Sequence, residues 1–438
     1  MRKIEEKYHD VLAVVGVHSA KFPAERAEAG LRDAVRRHGI HHPVVNDAKF
    51  EIWSQYAVRA WPTLFFIDPR GKIIGKHEGE LPYESFDALL SQMVEAYDSE
   101  GLMDRSALTF KPEAAPEGAL AYASKLLADA ELATLFVADT GHNRVVELSL
   151  DGEVRRIWGG TEPGLADGDA TGARFNHPQG LALRAHELYV ADTENHAVRL
   201  LHLDSGRVET VAGTGRQARS YASGVMRART AELSSPWDLE IVNDVLYIAM
   251  AGLHQIWALD LASSTVRPFA GTGREGIEDG PASQAWLAQT SGVTTDGRLL
   301  YFADSETSAV RVADPASGSV RTLVGLGLFE FGDVDGTGGQ ARLQHPLAVC
   351  HHKGEVIVAD TYNHKIKRLN PATRSIRSWL GSGEAGHTDG LGREARFHEP
   401  GGLTVVNDTL YVADTNNHTV RVVQIETGDV TTLELRGL

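Results

Sequence analysis

The 438-residue sequence contains a single cysteine, Cys350, so neither an intrachain disulfide nor a CxxC motif can form. A chain without disulfides is typical of a reducing compartment, and we expect a cytoplasmic protein. Long apolar runs are also missing, because no stretch approaches the ~20 consecutive apolar residues that span a bilayer. The first ten residues, MRKIEEKYHD, are highly charged and hold no apolar signal core. The sequence therefore predicts no membrane partner and no secretion signal at this start.

Basic residues are in deficit: 43 Lys and Arg stand against 59 Asp and Glu, which gives a formal net charge of −16. Residues 1–110 hold 14 basic and 17 acidic residues, so most of the acidic excess lies further along the chain. An acidic domain repels phosphate backbones, and we expect no nucleic-acid partner. The length exceeds one ordinary core and predicts two domains or a repeat array.

Residues 1–100 have the pattern of an α/β domain. The apolar, β-branched run VLAVVGV at 11–17 predicts a strand buried on both faces. A helix is predicted over 23–38, a second buried strand over 63–68, its hairpin partner over 73–78 and a closing helix over 82–97. Strands that alternate with helices predict an open sheet covered on both faces. Residues 101–118 are rich in proline, glycine and charge, which predicts a linker.

Three segments of this first domain, GVHSAKF at 16–22, HPVVND at 42–47 and WPT at 61–63, resemble the second half of a thioredoxin-like domain. The resemblance places the family's cis-proline at Pro62, between Trp61 and Thr63. It also implies a central strand and a helix with a Cys pair before residue 11, and this sequence contains neither. Thiol–disulfide chemistry needs a thiolate, and the domain offers none. We expect that the true start lies upstream, or that the domain is degenerate and kept for packing.

Six related segments occupy residues 119–438. In each, an alternating apolar run ends in Asp, a short polar turn holds Asn or His, and a second alternating run follows, which predicts a β-hairpin. The copies are FVADTGHNRV, YVADTENHAVR, YIAMAGLHQIW, FADSETSAVR, VADTYNHKIKR and VADTNNHTVR. The recurring acids are Asp139, Asp192, Asp304, Asp360 and Asp414, and Met250 replaces the acid in the third copy.

Two further markers run in phase with this hairpin: an Ala-x-(Phe/Leu)-x-x-Pro element and a Gly-rich turn such as Gly213-Thr214-Gly215. Each unit therefore reads as four strands, and six such units predict a six-bladed β-propeller. The pattern resembles NHL repeats over essentially all of 119–438. A thioredoxin-like domain followed by an NHL propeller resembles the NHL-repeat-containing protein 2 family, whose usual C-terminal β domain is not present in this sequence. The predicted fold class is α/β plus all-β.

The recurring Asp and His residues could be a metal or catalytic cluster, since carboxylate and imidazole are good zinc ligands. A structural interpretation is preferred, because a residue present in nearly every blade is placed by the blade. Asp is expected to accept backbone N–H bonds in the turn, Asn to adopt the left-handed conformation, and His to pack between strands. The histidines concerned are His196, His254, His364 and His418. No metal site and no cofactor are predicted.

Other candidates are weaker. The glycine runs lack the GxGxxG spacing after a strand and are interpreted as turns between blades rather than phosphate loops. Cys350 in an apolar inner strand is interpreted as a core residue, with Cys350-His351-His352 as an alternative channel-lining site. The loop before the third Ala-x-Leu-x-x-Pro marker is long and basic, and long loops are where ligand contacts are built. Its arginines are Arg216, Arg219, Arg227 and Arg229.

Three functions follow from these patterns. The preferred one is a non-catalytic binding or scaffold protein that presents a propeller face to a protein partner. The second, implied by the family resemblance, is a thiol–disulfide oxidoreductase whose Cys pair lies upstream of this start. The third is a metal-dependent lyase or lactonase with its site in the propeller channel.

Overall fold

The computed structural model describes residues 1–106, 110–114, 118–218 and 220–438. The chain divides into two compact units, Met1–Pro116 and Glu117–Leu438. Within the described ranges, no helix is long and apolar enough to cross a membrane.

The first unit contains four α-helices, one 3-10 helix and four short strands within the described residues. The α-helices are Arg2–Lys7, Glu28–Arg37, Glu51–Gln55 and Tyr83–Ser99, and the 3-10 helix is Pro23–Arg26. Strand Gly16–His18 pairs in parallel with Val44–Asn46, and Thr63–Ile67 pairs antiparallel with Ile73–Glu78. The strands thus form two separate two-stranded sheets rather than one open sheet.

The prediction of a long, doubly buried strand over 11–17 was wrong. The strand starts only at Gly16, and the side chains of Val15 and Val17 are 58% and 44% exposed. It has a partner on one side only, so its other edge receives no ladder hydrogen bonds from the described residues. The predicted helix over 23–38 is interrupted at Ala27, whose ψ of 134° is extended. A small apolar core holds this unit together around Ile4, Tyr8, Phe86 and Leu90.

The second unit is a six-bladed β-propeller, as the repeat pattern predicts. Its blades, each given from the inner to the outer strand, have the following bounds. Blade one is Ala123–Asp129, Thr134–Asp139, Arg144–Ser149 and Val154–Gly159. Blade two is Pro178–Arg184, Glu187–Asp192, Ala197–His202 and Arg207–Ala212. Blade three is Pro236–Val242, Val245–Met250, Gln255–Asp260 and Thr265–Ala270.

The remaining blades follow the same order. Blade four is Thr290–Thr295, Leu300–Asp304, Ala309–Asp314 and Ser319–Val324. Blade five is Ala348–His352, Glu355–Asp360, Lys365–Asn370 and Ser375–Leu380. Blade six is Pro400–Val406, Thr409–Asp414, Thr419–Gln424 and Asp429–Thr432.

Blades two to six each gain a fifth, two-residue strand that the sequence pattern did not predict. It comes from the loop that precedes the blade and pairs with the outer strand. These short strands are Gly168–Asp169, Met226–Arg227, Gly280–Pro281, Gly336–Thr337 and Gly390–Leu391. They shield the outer edge of each blade, where unpaired backbone groups would otherwise face solvent.

Blade one is completed from the other end of the chain. Arg436 forms a parallel bridge with Glu153, its N–H donates to Gly152 O at 3.0 Å, and Val154 N donates to Arg436 O at 3.0 Å. The hydroxyl of Tyr411 in blade six also donates to Leu150 O at 2.9 Å. The ring is therefore closed by residues almost 300 positions apart.

The loops between blades and the turns between the second and third strands lie on the same side of the propeller. In a four-stranded antiparallel blade, the turn between the second and third strands lies at the same end as the loop to the next blade. We call this side the loop face, and we number the connecting loops 1 to 5: residues 160–177, 213–235, 271–289, 325–347 and 381–399. Asn195 of blade two donates to Gly164 O of loop 1 at 2.7 Å, which shows the two features side by side.

Candidate functional site

The recurring aspartates are fully buried and hold the blade turns to the preceding loops. In all five copies the Oδ1 atom accepts a hydrogen bond of 2.7 Å from a backbone N–H 16 to 18 residues earlier. The donors to Asp139, Asp192, Asp304, Asp360 and Asp414 are the N–H groups of Ala121, Asn176, Ala288, Gln344 and His398. The expectation that Asp binds N–H groups within its own turn was therefore wrong, because the donor lies across the blade end.

The second carboxylate oxygen meets a buried cation in the third strand. Arg199 donates to Asp192 Oδ2 at 2.8 Å and reaches Asp167 of loop 1 at 2.9 Å, so one guanidinium joins two carboxylates. Arg311 and Arg421 make the same pairs, and Lys367 takes this place in blade five. Burial raises the pKa of Asp192 to about 6 while Arg199 opposes the rise. These charged groups pair with one another inside the blade, so they are not available as metal ligands.

Blade three replaces this ion pair with apolar packing. Met250, Leu253 and Trp257 stand where Asp, Asn and Arg stand elsewhere, and their side chains are buried. The indole N–H of Trp257 donates to Gln255 Oε1 at 2.9 Å, so no polar atom of the ring is left unsatisfied. Exchange of a buried ion pair for apolar residues of similar volume is often neutral or stabilising. The missing acid at Met250 is thus a structural substitution.

The left-handed position of the turn belongs to His in four blades, and to Asn, as expected, only in blade one. His196, His254, His364 and His418 have φ between 48° and 56°, and Asn143 and Ser308 take this position in blades one and four. Asn lies one residue earlier, inside the short 3-10 turn, where its amide is needed as a donor to the Asp carboxylate. In blade two this bond runs from Asn195 Nδ2 to Asp192 Oδ2 at 2.8 Å.

The residue in the left-handed position links each blade to the next. Its side chain accepts a hydrogen bond from a backbone N–H at the start of the following blade. The His Nδ1 atoms of His196, His254, His364 and His418 accept from Ser235, Gln289, Glu399 and Tyr122, each at 3.1 Å. Asn143 Oδ1 accepts from His177 N at 2.9 Å and Ser308 Oγ from His345 N at 3.2 Å. Each of the six interfaces between blades contains one such hydrogen bond.

The centre of the ring holds charged groups that the repeat pattern did not reveal. Lys125 of blade one donates to Leu347 O at 2.5 Å and lies 3.5 Å from Asp238 Oδ2, so it connects blades one, three and five. Burial lowers the pKa of Lys125 and raises that of Asp238, and the attraction between them opposes both shifts. Burial also raises the pKa of Glu240 to about 8. Lys125 and Asp238 therefore cross the channel as a buried ion pair.

The three residues Cys350-His351-His352 do not converge on one site. Burial, with Glu240 and Asp238 nearby, raises the pKa of the Cys350 thiol to about 12. His351 stacks on Tyr301 with ring centroids 5.9 Å apart, and His352 lies 2.9 Å from Asp408. Adjacent residues of a strand point to opposite faces, which separates the thiol from His351.

The arginines of loop 2 that the structure describes do not form a common patch. Arg216 lies 3.6 Å from Glu232, Arg229 donates to Thr210 O at 2.8 Å, and Arg227 lies in the outermost short strand. Arg219 lies outside the described residues. The loop packs Ala218 and Ala222 onto the apolar cluster between blades two and three, and so covers part of that cluster.

In the first unit, the peptide bond between Trp61 and Pro62 is cis. Trp61 is 47% exposed, its indole N–H donates to Ser19 O at 2.8 Å, and its ring lies 4.4 Å from that of Trp53. Thr63 starts the strand Thr63–Ile67 and donates to Ala60 O at 2.7 Å. Trp53 and Trp61 thus form a partly exposed aromatic surface, and Asp47 accepts a hydrogen bond from Trp53 N at 2.9 Å.

Exposed apolar side chains on the loop face were missed at the sequence level. Leu165 of loop 1, Tyr221 of loop 2, and Leu326 and Phe329 of loop 4 are 42%, 57%, 47% and 69% exposed. The sequence does mark these positions, because each is a large apolar residue in a Gly-rich segment, and such a segment contributes no side chains to a core. Within the described residues, no group of three or more His, Cys, Asp or Glu side chains could hold a metal ion.

Comparison with known proteins agrees with this architecture. The family model for the NHL repeat matches residues 175–199 and 397–423. Over 461 residues the chain is 40% identical to the Arabidopsis thaliana protein SUPPRESSOR OF QUENCHING 1, chloroplastic, covering 99% of this chain and 44% of that protein. Over 473 residues it is 37% identical to human NHL repeat-containing protein 2, covering 99% of this chain and 65% of that protein. The chain thus spans less than two thirds of the length of either relative.

Among solved structures, a chain of a nidogen/laminin complex superposes with a TM-score of 0.45 at 16% identity, covering 69% of this chain and 92% of that chain. The blade architecture, the two NHL matches and the identity along nearly the whole chain lead to one conclusion. The protein is an NHL-repeat β-propeller protein, homologous to NHL repeat-containing protein 2.

Proposed function

We propose that this protein is a non-catalytic binding or scaffold protein that presents the loop face of its propeller to a protein partner. The observation that carries the proposal is the group of exposed apolar side chains on that face: Leu165, Tyr221, Leu326 and Phe329. Contiguous exposed apolar surface marks interaction sites in soluble proteins. Aromatic side chains such as Tyr221 and Phe329 are typical anchors of protein interfaces.

The scaffold beneath these residues supports the proposal because it is rigid. Every pair of neighbouring blades shares the hydrogen bond to the left-handed residue, and the C-terminal segment closes the ring onto blade one. Binding residues are commonly carried by loops on a rigid framework, since the framework lowers the entropy lost on association. The loop face meets this description.

The chemistry of the buried groups does not favour catalysis. The Cys350 thiol is partly buried, and desolvation raises its pKa to about 12, so it supplies almost no thiolate at neutral pH. Lys125 and Asp238 neutralise each other across the channel, and the described residues offer no ligand set for a lyase or lactonase metal. These groups therefore favour a binding role over the channel-enzyme alternative.

We further propose that the first unit is a thioredoxin-like domain, degenerate or truncated in this sequence, that assists partner recruitment. The order of its elements supports this: a parallel pair, a helix before Trp61-Pro62, an antiparallel hairpin and a closing helix. None of its residues is a cysteine, so an oxidoreductase activity would need a Cys pair that this sequence does not contain. A chain with one partly buried cysteine needs no oxidising compartment, and we propose a cytoplasmic location.

The test is affinity capture with three forms of the full chain, followed by quantitative mass spectrometry. The unchanged chain is compared with the double variant Leu326→Ser/Phe329→Ser and with the matched control Leu391→Ser. Leu391 is also apolar and 54% exposed, but it lies in the outermost strand at the rim of blade six. A partner protein should be captured by the unchanged chain and the control and lost from the double variant. Capture that is equal for all three forms would contradict the proposal.

A further inference from the structure

The exposed apolar residues of the loop face lie on successive loops, and these loops contact one another. A β-carbon built on Gly215 of loop 2 would lie 2.6 Å from Leu165 of loop 1, so Leu165 covers that glycine. A β-carbon on Gly273 of loop 3 would overlap the ring of Tyr221 from loop 2. Ile277 of loop 3 lies 3.9 Å from the same position on Gly327 of loop 4. The contacts therefore connect loops 1 to 4, and we call the exposed residues Leu165, Tyr221, Leu326 and Phe329 the apolar arc.

Glutamates accompany this arc in a regular manner. Glu162, Glu275, Glu330 and Glu384 lie in loops 1, 3, 4 and 5, each within two residues before a glycine, and all four are exposed. Glu384 lies 2.8 Å from Arg396 and Glu330 lies 3.8 Å from Arg342, whereas Glu162 and Glu275 have no ion-pair partner among the described residues. Exposed arginines share these loops, since Arg216 lies beside Glu232 in loop 2 and Arg274 precedes Glu275 in loop 3.

We infer that the loop face binds a protein segment that carries Lys or Arg residues beside apolar side chains. This inference rests on the proposed function and names the chemistry of the partner. The apolar arc supplies the buried contact, and the glutamates supply charge complementarity at its rim. A formal net charge of −16 for the whole chain adds a long-range field that attracts a basic segment and repels an acidic one.

The competing occupants fit less well. A nucleic acid would meet exposed glutamates in four of the five loops. An acidic peptide would place like charges against the same residues, which costs affinity at a desolvated rim. A neutral apolar peptide would use the arc but would leave Glu162 and Glu275 without a counter-charge. A basic and apolar segment is the one that uses both features.

The test uses a phage-displayed library of random 12-residue peptides, selected on the full chain and counter-selected on the Leu326→Ser/Phe329→Ser variant. We expect the surviving peptides to be enriched in Lys or Arg together with Leu, Phe or Trp. For a synthetic copy of the best peptide, Phe329→Ser should weaken binding about 30-fold, as expected for an aromatic anchor. The double variant Glu162→Gln/Glu275→Gln should weaken it about threefold to tenfold, and the effect should vanish at high salt.

The outcomes separate this inference from the proposed function. Surviving peptides that are neutral or acidic would overturn the basic-segment inference while the loop face remained a binding surface. Peptides that bind the unchanged chain and the Leu326→Ser/Phe329→Ser variant equally would overturn both. Thermal unfolding of each variant shows whether it is folded, so a loss of binding with an unchanged unfolding temperature is the informative result.

Discussion

His418 in blade six accepts a hydrogen bond at Nδ1 from the backbone N–H of Tyr122, at 3.1 Å and across 296 positions of the sequence. The two rings also meet edge to face, with centroids 4.5 Å apart. This contact joins the last blade to the first and repeats the link found at the five other interfaces. The recurring turn that holds His418 resembles a catalytic signature in the sequence, but in the structure it links neighbouring blades.

We predict that His418→Ala lowers the free energy of unfolding by about 1–3 kcal/mol, because the buried N–H of Tyr122 loses its acceptor. His418→Asn should cost less than about 1 kcal/mol, since Asn143 makes the same contact in blade one with the same left-handed backbone. Urea unfolding of the three proteins measures the difference. Equal destabilisation by Ala and Asn would contradict the role of the acceptor.

Acid should weaken one of these joints in a defined window. Burial lowers the pKa of His364 to about 4, from an ordinary value near 6.5. Between these two pKa values, His364 is protonated in the unfolded chain but neutral in the folded chain. Its contribution to the free energy of unfolding is therefore complete above about pH 6.5 and is lost as the pH falls toward 4. The loss is at most about 3 kcal/mol. His364→Asn should flatten this part of the stability profile, measured by urea unfolding from pH 7 to 4, and an unchanged slope would contradict the assignment.

The contribution of the buried Asp192–Arg199 ion pair to stability can be tested, with the apolar residues of blade three as the control. Arg199→Met should cost about 3–5 kcal/mol, because Asp192 is left buried without its cation. The triple change Asp192→Met/Asn195→Leu/Arg199→Trp copies blade three and should cost less than the single change. Thermal unfolding ranks the two variants. If the triple variant is the less stable of the two, the apolar interpretation of blade three is wrong.

The Cys350 thiol should be inert in the folded protein. At pH 8 its reaction with a thiol reagent should be about 1000-fold slower than in the unfolded chain, because the pKa of about 12 leaves little thiolate. Since Cys350 is the only cysteine, the absorbance change reports this one group. Comparable rates with and without denaturant would show that the thiol is accessible and would reopen a redox role.

These contacts explain how much could be predicted from the sequence. The number of blades, the order of their strands and the place of each Asp follow from a local period of 53–58 residues. The partners of those residues do not, because the donor to Asp192 lies 16 residues away and the donor to His418 lies 296 residues away. Lys125 and Asp238 belong to different blades, and no local pattern brings them together.

The first unit shows a second limit. An apolar run such as VLAVVGV predicts burial, yet Val15 and Val17 are exposed because burial requires neighbouring strands that only tertiary structure supplies.

The loop-face residues show a third limit. Leu165, Tyr221, Leu326 and Phe329 look unremarkable within glycine-rich turns until the ring places them on one face.

If the loop face binds a partner through its apolar arc, removal of one aromatic anchor should weaken peptide binding. The dissociation constant of the best selected peptide is determined by calorimetry for the unchanged chain, for Phe329→Ser and for the rim control Leu391→Ser. We predict a value about 30-fold higher for Phe329→Ser and an unchanged value for Leu391→Ser. Equal dissociation constants for Phe329→Ser and the unchanged chain, with both proteins folded, would contradict the claim.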